Sequence, residues 1–297
     1  MRPEDLPVAG VEVEHTYVDA AGLRTHVALA GDPAGKPVVL VHGWPQHWWI
    51  WRGVIPPLVE AGYRCICPDL RGHGWTAAPS DGYEKEQFAT DVLAALDALG
   101  VERFRLIGHD WGGFASFLMA LREPQRVERL LALSIIHPWI QRDPGPVAAV
   151  KGLFDASYQI LVASPLVGPQ VVRRTPFIKA VLARAVSPDF DWPDGVRSAY
   201  ADRWREPERA AATQAVYRAS LLRDLPGILR GRYRETRLTV PTVLVHGQSD
   251  PVITRERVKG WEPYADDMRV GEVPGGHFLP DEKPELVAEQ ALALFSR

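Results

Sequence analysis

With 297 residues, 46% of them hydrophobic, and a formal charge of −3, the chain has the size and apolar content of one soluble α/β domain with room for an inserted subdomain. Its arginines are scattered among acids rather than gathered into a patch, which argues against a nucleic-acid partner. The first ten residues carry no basic segment followed by an apolar one, and no run approaches the roughly 20 apolar residues of a membrane span, so cytoplasmic residence with no membrane span is the expectation.

In chain order, apolar strand patterns at 11–18 and 23–30 flank Asp19-Ala20-Ala21-Gly22, a hairpin-like opening. A strand at 37–42 follows, then a helical pattern at 48–60 and a strand at 63–67. Cys65 and Cys67 share one face of that strand and read as small core residues, because no further ligands stand at metal-binding spacing. Next come a helix at 85–99, a strand at 104–108, a helix at 112–121 and a strand at 129–136; strands at 242–246 and 268–273 and a helix at 284–295 close the chain. This alternation predicts an α/β fold, an eight-stranded, mostly parallel sheet with helices on both faces. The stretch between 136 and 242 is too long for a simple connection. Its many prolines and short amphipathic pieces, such as 147–163 and 207–222, predict a helical cap over 138–235, set over the carboxyl ends of a core made of 1–137 and 236–297.

The chemistry is concentrated at Leu106-Ile107-Gly108-His109-Asp110-Trp111-Gly112-Gly113, where an apolar strand turns sharply into a helix. Small residues flank the tip because a nucleophile elbow is too tight for larger ones, and the tip here is an acid instead of the usual serine. A carboxylate with a reference pKa near about 4 is already ionised at neutral pH and needs no base for its first attack. Its adducts with esters and amides simply revert, so the elbow points to attack on a saturated carbon carrying a leaving group or a strained ring. A second signal is Val41-His42-Gly43-Trp44-Pro45, a strand entering a Gly-containing turn, which makes the backbone N–H groups of Trp44 and Trp111 candidate oxyanion donors. A third is Gly275-Gly276-His277-Phe278 after the last strand, where His277 is the candidate base. Asp250, after the preceding strand, is the candidate acid to orient it, with Asp143 as the alternative.

Together these segments resemble the epoxide hydrolase and haloalkane dehalogenase branch of the α/β-hydrolase fold. The resemblance covers nearly the whole chain and includes Trp48-Trp49-Ile50-Trp51-Arg52 and Pro68-Asp69-Leu70-Arg71-Gly72-His73-Gly74. Within the cap, Phe154-Asp155-Ala156-Ser157-Tyr158-Gln159 is similar to the first tyrosine motif of epoxide hydrolases and Ala215-Val216-Tyr217-Arg218 to the second. The resemblance implies an epoxide hydrolase in which Asp110, Asp250 and His277 form the triad and Tyr158 and Tyr217 act as ring-opening acids, with Tyr200 and Tyr233 as substitutes. It implies neither cofactor nor metal. A phenol, with a reference pKa near about 10, can donate a proton to a departing epoxide oxygen at neutral pH. Haloalkane dehalogenases share the triad and are the alternative; many place asparagine where this chain has Trp44. Fluoroacetate dehalogenases place arginines at the positions of Trp111 and Phe114, and this chain has none there.

His42, Pro45, Trp48, Trp139, Phe154, Gln159 and Phe278 fall in segments expected near the cap interface. They suggest a pocket for a small apolar or aromatic epoxide, with water as second substrate. The natural substrate, its handedness and a detoxifying or biosynthetic role are open at this level, as is the oligomeric state, a homodimer included. A serine esterase is disfavoured because no serine sits in an elbow, and a non-catalytic binding protein because the whole triad is present.

Overall fold

The computed structural model describes residues 1–139 and 157–297. Its eight strands are β1 (Val13–Ala20), β2 (Leu23–Ala30), β3 (Lys36–Val41), β4 (Tyr63–Pro68), β5 (Phe104–His109), β6 (Val127–Leu133), β7 (Thr242–Gly247) and β8 (Met268–Val273). They lie in the order β1-β2-β4-β3-β5-β6-β7-β8. β2 runs antiparallel to both its neighbours, and the remaining pairs are parallel. Between β1 and β2, Ala20 pairs with Leu23 across a two-residue turn in which Ala21 and Gly22 both have positive φ, 49° and 74°, the geometry that matches the natural twist of a hairpin. Val38, Val39, Leu40 and Val41 of β3 are wholly buried, as expected for a central parallel strand covered on both faces.

Helices α1 (Ile55–Glu60), α2 (Lys85–Ala98) and α3 (Trp111–Arg122) connect the first parallel strands. Leu58 of α1 joins the hydrophobic cluster on one face of the sheet, and Phe88 of α2 and Phe117 of α3 join the cluster on the other. The single helix expected over 48–60 is instead a 3-10 turn, Trp48–Gly53, followed by α1. Pro56 and Pro57 lack the N–H that a helix interior needs and are accommodated in a first turn, so the helix starts there afresh. β6 ends at Leu133, three residues before its expected end, because Ser134 turns away with φ 47°.

The connection from β6 to β7 is helical. Its described elements are α4 (Ser157–Ala163), α5 (Gly168–Arg174), α6 (Phe177–Arg184), α7 (Val196–Arg203), α8 (Pro207–Ala219), one π-helical turn (Ser220–Asp224) and α9 (Leu225–Leu229). Prolines occupy the first turns of α5, α8 and α9, which explains why the pieces are short and sharply started. The insertion is tied to the core by polar bonds: Trp204 Nε1 donates to Pro45 O at 2.6 Å and Arg203 Nη2 to Gly74 O at 2.8 Å. Tyr200 joins Arg52 and Asp281 in a buried cluster, in which Asp281 is pushed up to about 6 by burial against the pull of Arg52. After β8 come α10 (Leu279–Glu282) and α11 (Pro284–Phe295). Among the described residues no helix is long and apolar enough to cross a membrane.

β4 lies on one side of β3 and β5 on the other, so the winding direction reverses between them. In open α/β sheets the crevice at the carboxyl ends of such strands is where ligands bind. Here those ends lead into His42-Gly43-Trp44 and into Asp110.

Candidate active site

Asp110 occupies the single position between β5 and α3, with φ 50° and ψ −128°. A side chain in that region costs about 1 to 3 kcal/mol and persists only where its surroundings enforce it. Here the enforcement is steric. A Cβ on Gly43 would stand 2.4 Å from Asp110 Cβ, and one on Gly112 would stand 2.2 Å from His42 O. The two turns therefore interlock only because both residues are glycine.

The elbow aims the Asp110 carboxylate at two backbone donors. Trp44 N–H donates to Oδ1 at 3.1 Å, and Trp111 N–H bonds the same carboxylate. The other oxygen, Oδ2, lies 3.9 Å from His277 Nε2. Burial raises the Asp110 carboxyl above its usual range, while His277, the two N–H groups and the Lys85 ammonium oppose that rise.

His277 Nδ1 is 2.9 Å from Asp250 Oδ2, so the ring donates to Asp250 and turns Nε2 towards Asp110. Asp250 is fixed in turn by Val252 N–H and Ile253 N–H, which donate to Oδ1 at 2.8 and 2.9 Å. Burial opposes the charge on Asp250, but His277 and these donors hold its carboxyl below the usual range. Burial likewise opposes the imidazolium, yet Asp250, Asp110 and Glu282 together push His277 up to about 9. The loop carrying His277 is pinned by Glu282: Oε2 accepts from Gly276 N–H and Ser187 N–H at 2.8 Å each, and Oε1 accepts from Phe278 N–H at 3.0 Å. His109 Nε2 donates to His277 O at 2.8 Å.

An aromatic wall faces this set. The Trp44 ring meets Tyr217 edge-on at 5.0 Å, Tyr158 stacked at 6.5 Å and Phe177 at 6.4 Å. Tyr158 and Tyr217 are 5.8 Å apart, centre to centre, and the Tyr217 hydroxyl hydrogen-bonds the Tyr158 oxygen. Gln159 also bonds the Tyr158 phenol, and the Trp111 side chain bonds that of Tyr217. Burial raises both phenols, Tyr217 well above the usual range, with Asp110 adding to the rise; both stay protonated at neutral pH.

Of the other expected pocket residues, Phe278 packs on His277 at 5.2 Å. His42 is wholly buried: its Nε2 accepts from Leu70 N–H at 3.0 Å and its Nδ1 lies 2.9 Å from Gly43 O, so it shapes the loop beneath Trp44. Pro45 contributes its carbonyl to Trp204. Trp48 and Trp139 are both buried. Trp48 packs edge-on to His15 of β1, and Trp139 stacks on Tyr264 while its Nε1 donates to Tyr233 O. Both rings are core, and among the described residues neither makes a ring contact with Trp44, Tyr158 or Tyr217. A large tryptophan finds burial wherever it falls, so position in sequence alone does not separate core from pocket. Tyr200 lies in the cluster with Asp281, and Tyr233 donates to Glu86 Oε1 at 2.5 Å. Phe154 and Asp143 lie outside the described residues.

Sequence reasoning missed Phe177, Thr213, Lys85 and Glu282. Thr213 accepts from Trp44 Nε1 at 3.2 Å and sits one helical turn before Tyr217 on α8, a spacing that a search for partners of Tyr217 would have found. Glu282 has the signal of an acid five residues after His277.

Residues 36–284 match the family of the alpha/beta hydrolase fold. The soluble epoxide hydrolase of Corynebacterium sp. (strain C12) is 31% identical over 290 residues, covering 96% of this chain and 98% of that protein. The AB hydrolase superfamily protein YfhM of Bacillus subtilis (strain 168) is 29% identical over 285 residues, 94% of this chain and 97% of its own. Among solved structures, epoxide hydrolase CorEH without ligand aligns with a TM-score of 0.81 at 28% identity, covering 96% of this chain and 99% of that one. Its sheet, its elbow and these relatives agree: the chain belongs to the α/β-hydrolase fold family, in the branch that includes soluble epoxide hydrolases.

Proposed function

We propose that the protein hydrolyses an apolar or aromatic epoxide to a vicinal diol through a covalent ester on Asp110. The observation that carries this reading is the pair of buried, protonated phenols, Tyr158 and Tyr217, standing over a carboxylate at a nucleophile elbow. Oδ1 of Asp110 is held by Trp44 N–H, which leaves Oδ2 to attack one ring carbon while the phenols donate to the ring oxygen. The C–O bond breaks, the departing oxygen takes a phenol proton, and a hydroxyalkyl ester remains on Asp110.

Ester formation removes the negative charge 3.9 Å from His277 Nε2. Asp110 is one of the groups that lift His277 to about 9, so its loss makes the neutral imidazole easier to form at the moment a base is needed. His277, oriented by Asp250, then takes a proton from water, and the hydroxide attacks the ester carbonyl. The oxyanion falls into the N–H pair of Trp44 and Trp111, stabilisation worth about 3 to 4 kcal/mol per donor in comparable sites. Collapse releases the diol carrying Oδ2; His277 returns its proton to the diol oxygen and the protonated Asp110 restores the phenol.

A haloalkane substrate would need indole N–H groups free to hold halide. Here Trp44 Nε1 is bonded to Thr213 and the Trp111 side chain to Tyr217, which supports the epoxide reading. The test is the His277→Gln protein, which should stop at the ester. Incubation with styrene oxide should add the mass of one whole epoxide to the peptide containing Asp110. Alkyl adducts from haloalkanes alone would transfer the assignment to dehalogenation, and adducts on another residue would remove Asp110 from the mechanism.

A further inference from the structure

Lys85 is the first residue of α2 and is 1% exposed. A lysine ammonium is rarely buried without strong pairing. It also stands at the positive end of a helix, where an acid belongs. Its ion-pair partner among the described residues is Asp224 of the π-helical turn, 3.4 Å from both Nζ and the Lys85 backbone N–H. Nζ lies 4.1 Å above the Trp111 ring and 5.2 Å from that of Phe88. A residue that breaks several local rules at once, beside the nucleophile, points to function.

We propose that Lys85 is a positioning residue for ester formation: its ammonium, anchored by Asp224, holds the Trp111 indole and supplies the positive field that keeps the buried Asp110 carboxylate charged. This rests on the covalent reading above. Trp111 links the two groups, since Lys85 sits on its ring and its N–H bonds the Asp110 carboxylate. Among the described residues, the charged and titratable groups around Asp110 include His277 from the loop after β8, with Asp250, Glu282 and His109 of β5 beside it, Tyr158 from α4, Tyr217 from α8, and Lys85 from α2. Those around Lys85 are Asp224 and Asp110. Burial lowers the Lys85 ammonium, and both carboxylates oppose that fall. With His277 replaced, Lys85 is the remaining cation in this set that faces Asp110.

The experiment measures the rate of ester formation with styrene oxide by intact mass, from about pH 4 to about pH 8, in the His277→Gln protein with Lys85, Lys85→Arg or Lys85→Met. A cation favours the carboxylate, so removing it raises the Asp110 pKa and moves the acid limb of the rate to higher pH. Lys85→Met should be several-fold slower than its parent at the acid end of the range and within about twofold of it near pH 8, because the loss is confined to pH values at which the carboxylate is protonated. Lys85→Arg, which keeps the charge, should keep the parent limb. Equal losses at every pH, or no change, would overturn the proposal. If Lys85→Met does not fold, Lys85→Gln, neutral but polar, must show the same displacement; failure of both to fold while Lys85→Arg folds would make the role structural. Absence of an adduct in the parent itself would reject the covalent reading, and this proposal with it.

Discussion

At the scale of single residues, the site depends on two glycines as much as on its acids. Gly43 is where the loop after β3 and the elbow after β5 touch, and Gly43→Ala places a methyl 2.4 Å from Asp110 Cβ. Backbone has to move on one side or the other, so we expect a loss of about 1 to 3 kcal/mol in stability, as for overpacked sites. Turnover should fall at least tenfold, because the Trp44 N–H leaves Asp110. Urea unfolding and turnover with styrene oxide measure the two, and unchanged turnover would show that this donor is dispensable. The acid at the elbow was legible in the sequence because the strand, the flanking glycines and the following helix form one local pattern. Lys85 was not legible, because a lysine opening a helix looks like a solvated end, and only the approach of Asp224, 139 residues away, reveals it as interior.

At the scale of elements, the strands were legible to within a few residues because a buried strand is a short apolar run with turn residues after it. The split near Val54 was missed because the aromatic run before it keeps a helical spacing, while Pro56 and Pro57 fix where a helix can start. The His277 loop is organised by a contact invisible at sequence level, the Glu282 carboxylate that collects three N–H groups from two segments. Glu282→Gln leaves one acceptor oxygen and sets an amide donor against those N–H groups. We expect a destabilisation of about 1.5 to 3 kcal/mol, as for hydrogen bonds to a buried charge, with turnover falling more than substrate binding. A variant with the stability of its parent would mean that the loop is held by His109 and Ala185 instead.

At the scale of the whole molecule, the sheet reversal between β4 and β5 makes the crevice, and the helices between β6 and β7 supply the phenols that face it. The sequence gap between 136 and 242 made such an insertion necessary, while which tryptophans line it was decided by packing. The same assembly predicts a pH dependence of stability. His277 is held at about 9, above its unfolded value near about 6.5. Its contribution is therefore fully present below about 6.5 and disappears as pH rises towards about 9, a loss of roughly 3 kcal/mol at most. Urea midpoints should fall across that window in the wild-type protein, and His277→Gln should flatten the fall; equal slopes would mean that His277 is not so held.

Trp44 offers its main chain to the oxygen of Asp110 and its ring to Tyr158, Tyr217 and Phe177. In the proposed mechanism the atoms that steady the reaction and the atoms that shape the substrate chamber thus belong to one residue but to different parts of it. Substitution at position 44 edits only the ring and leaves the N–H in place. An evolving lineage, or an engineer, can therefore exchange the contour of the chamber at this position without surrendering the donor beneath it.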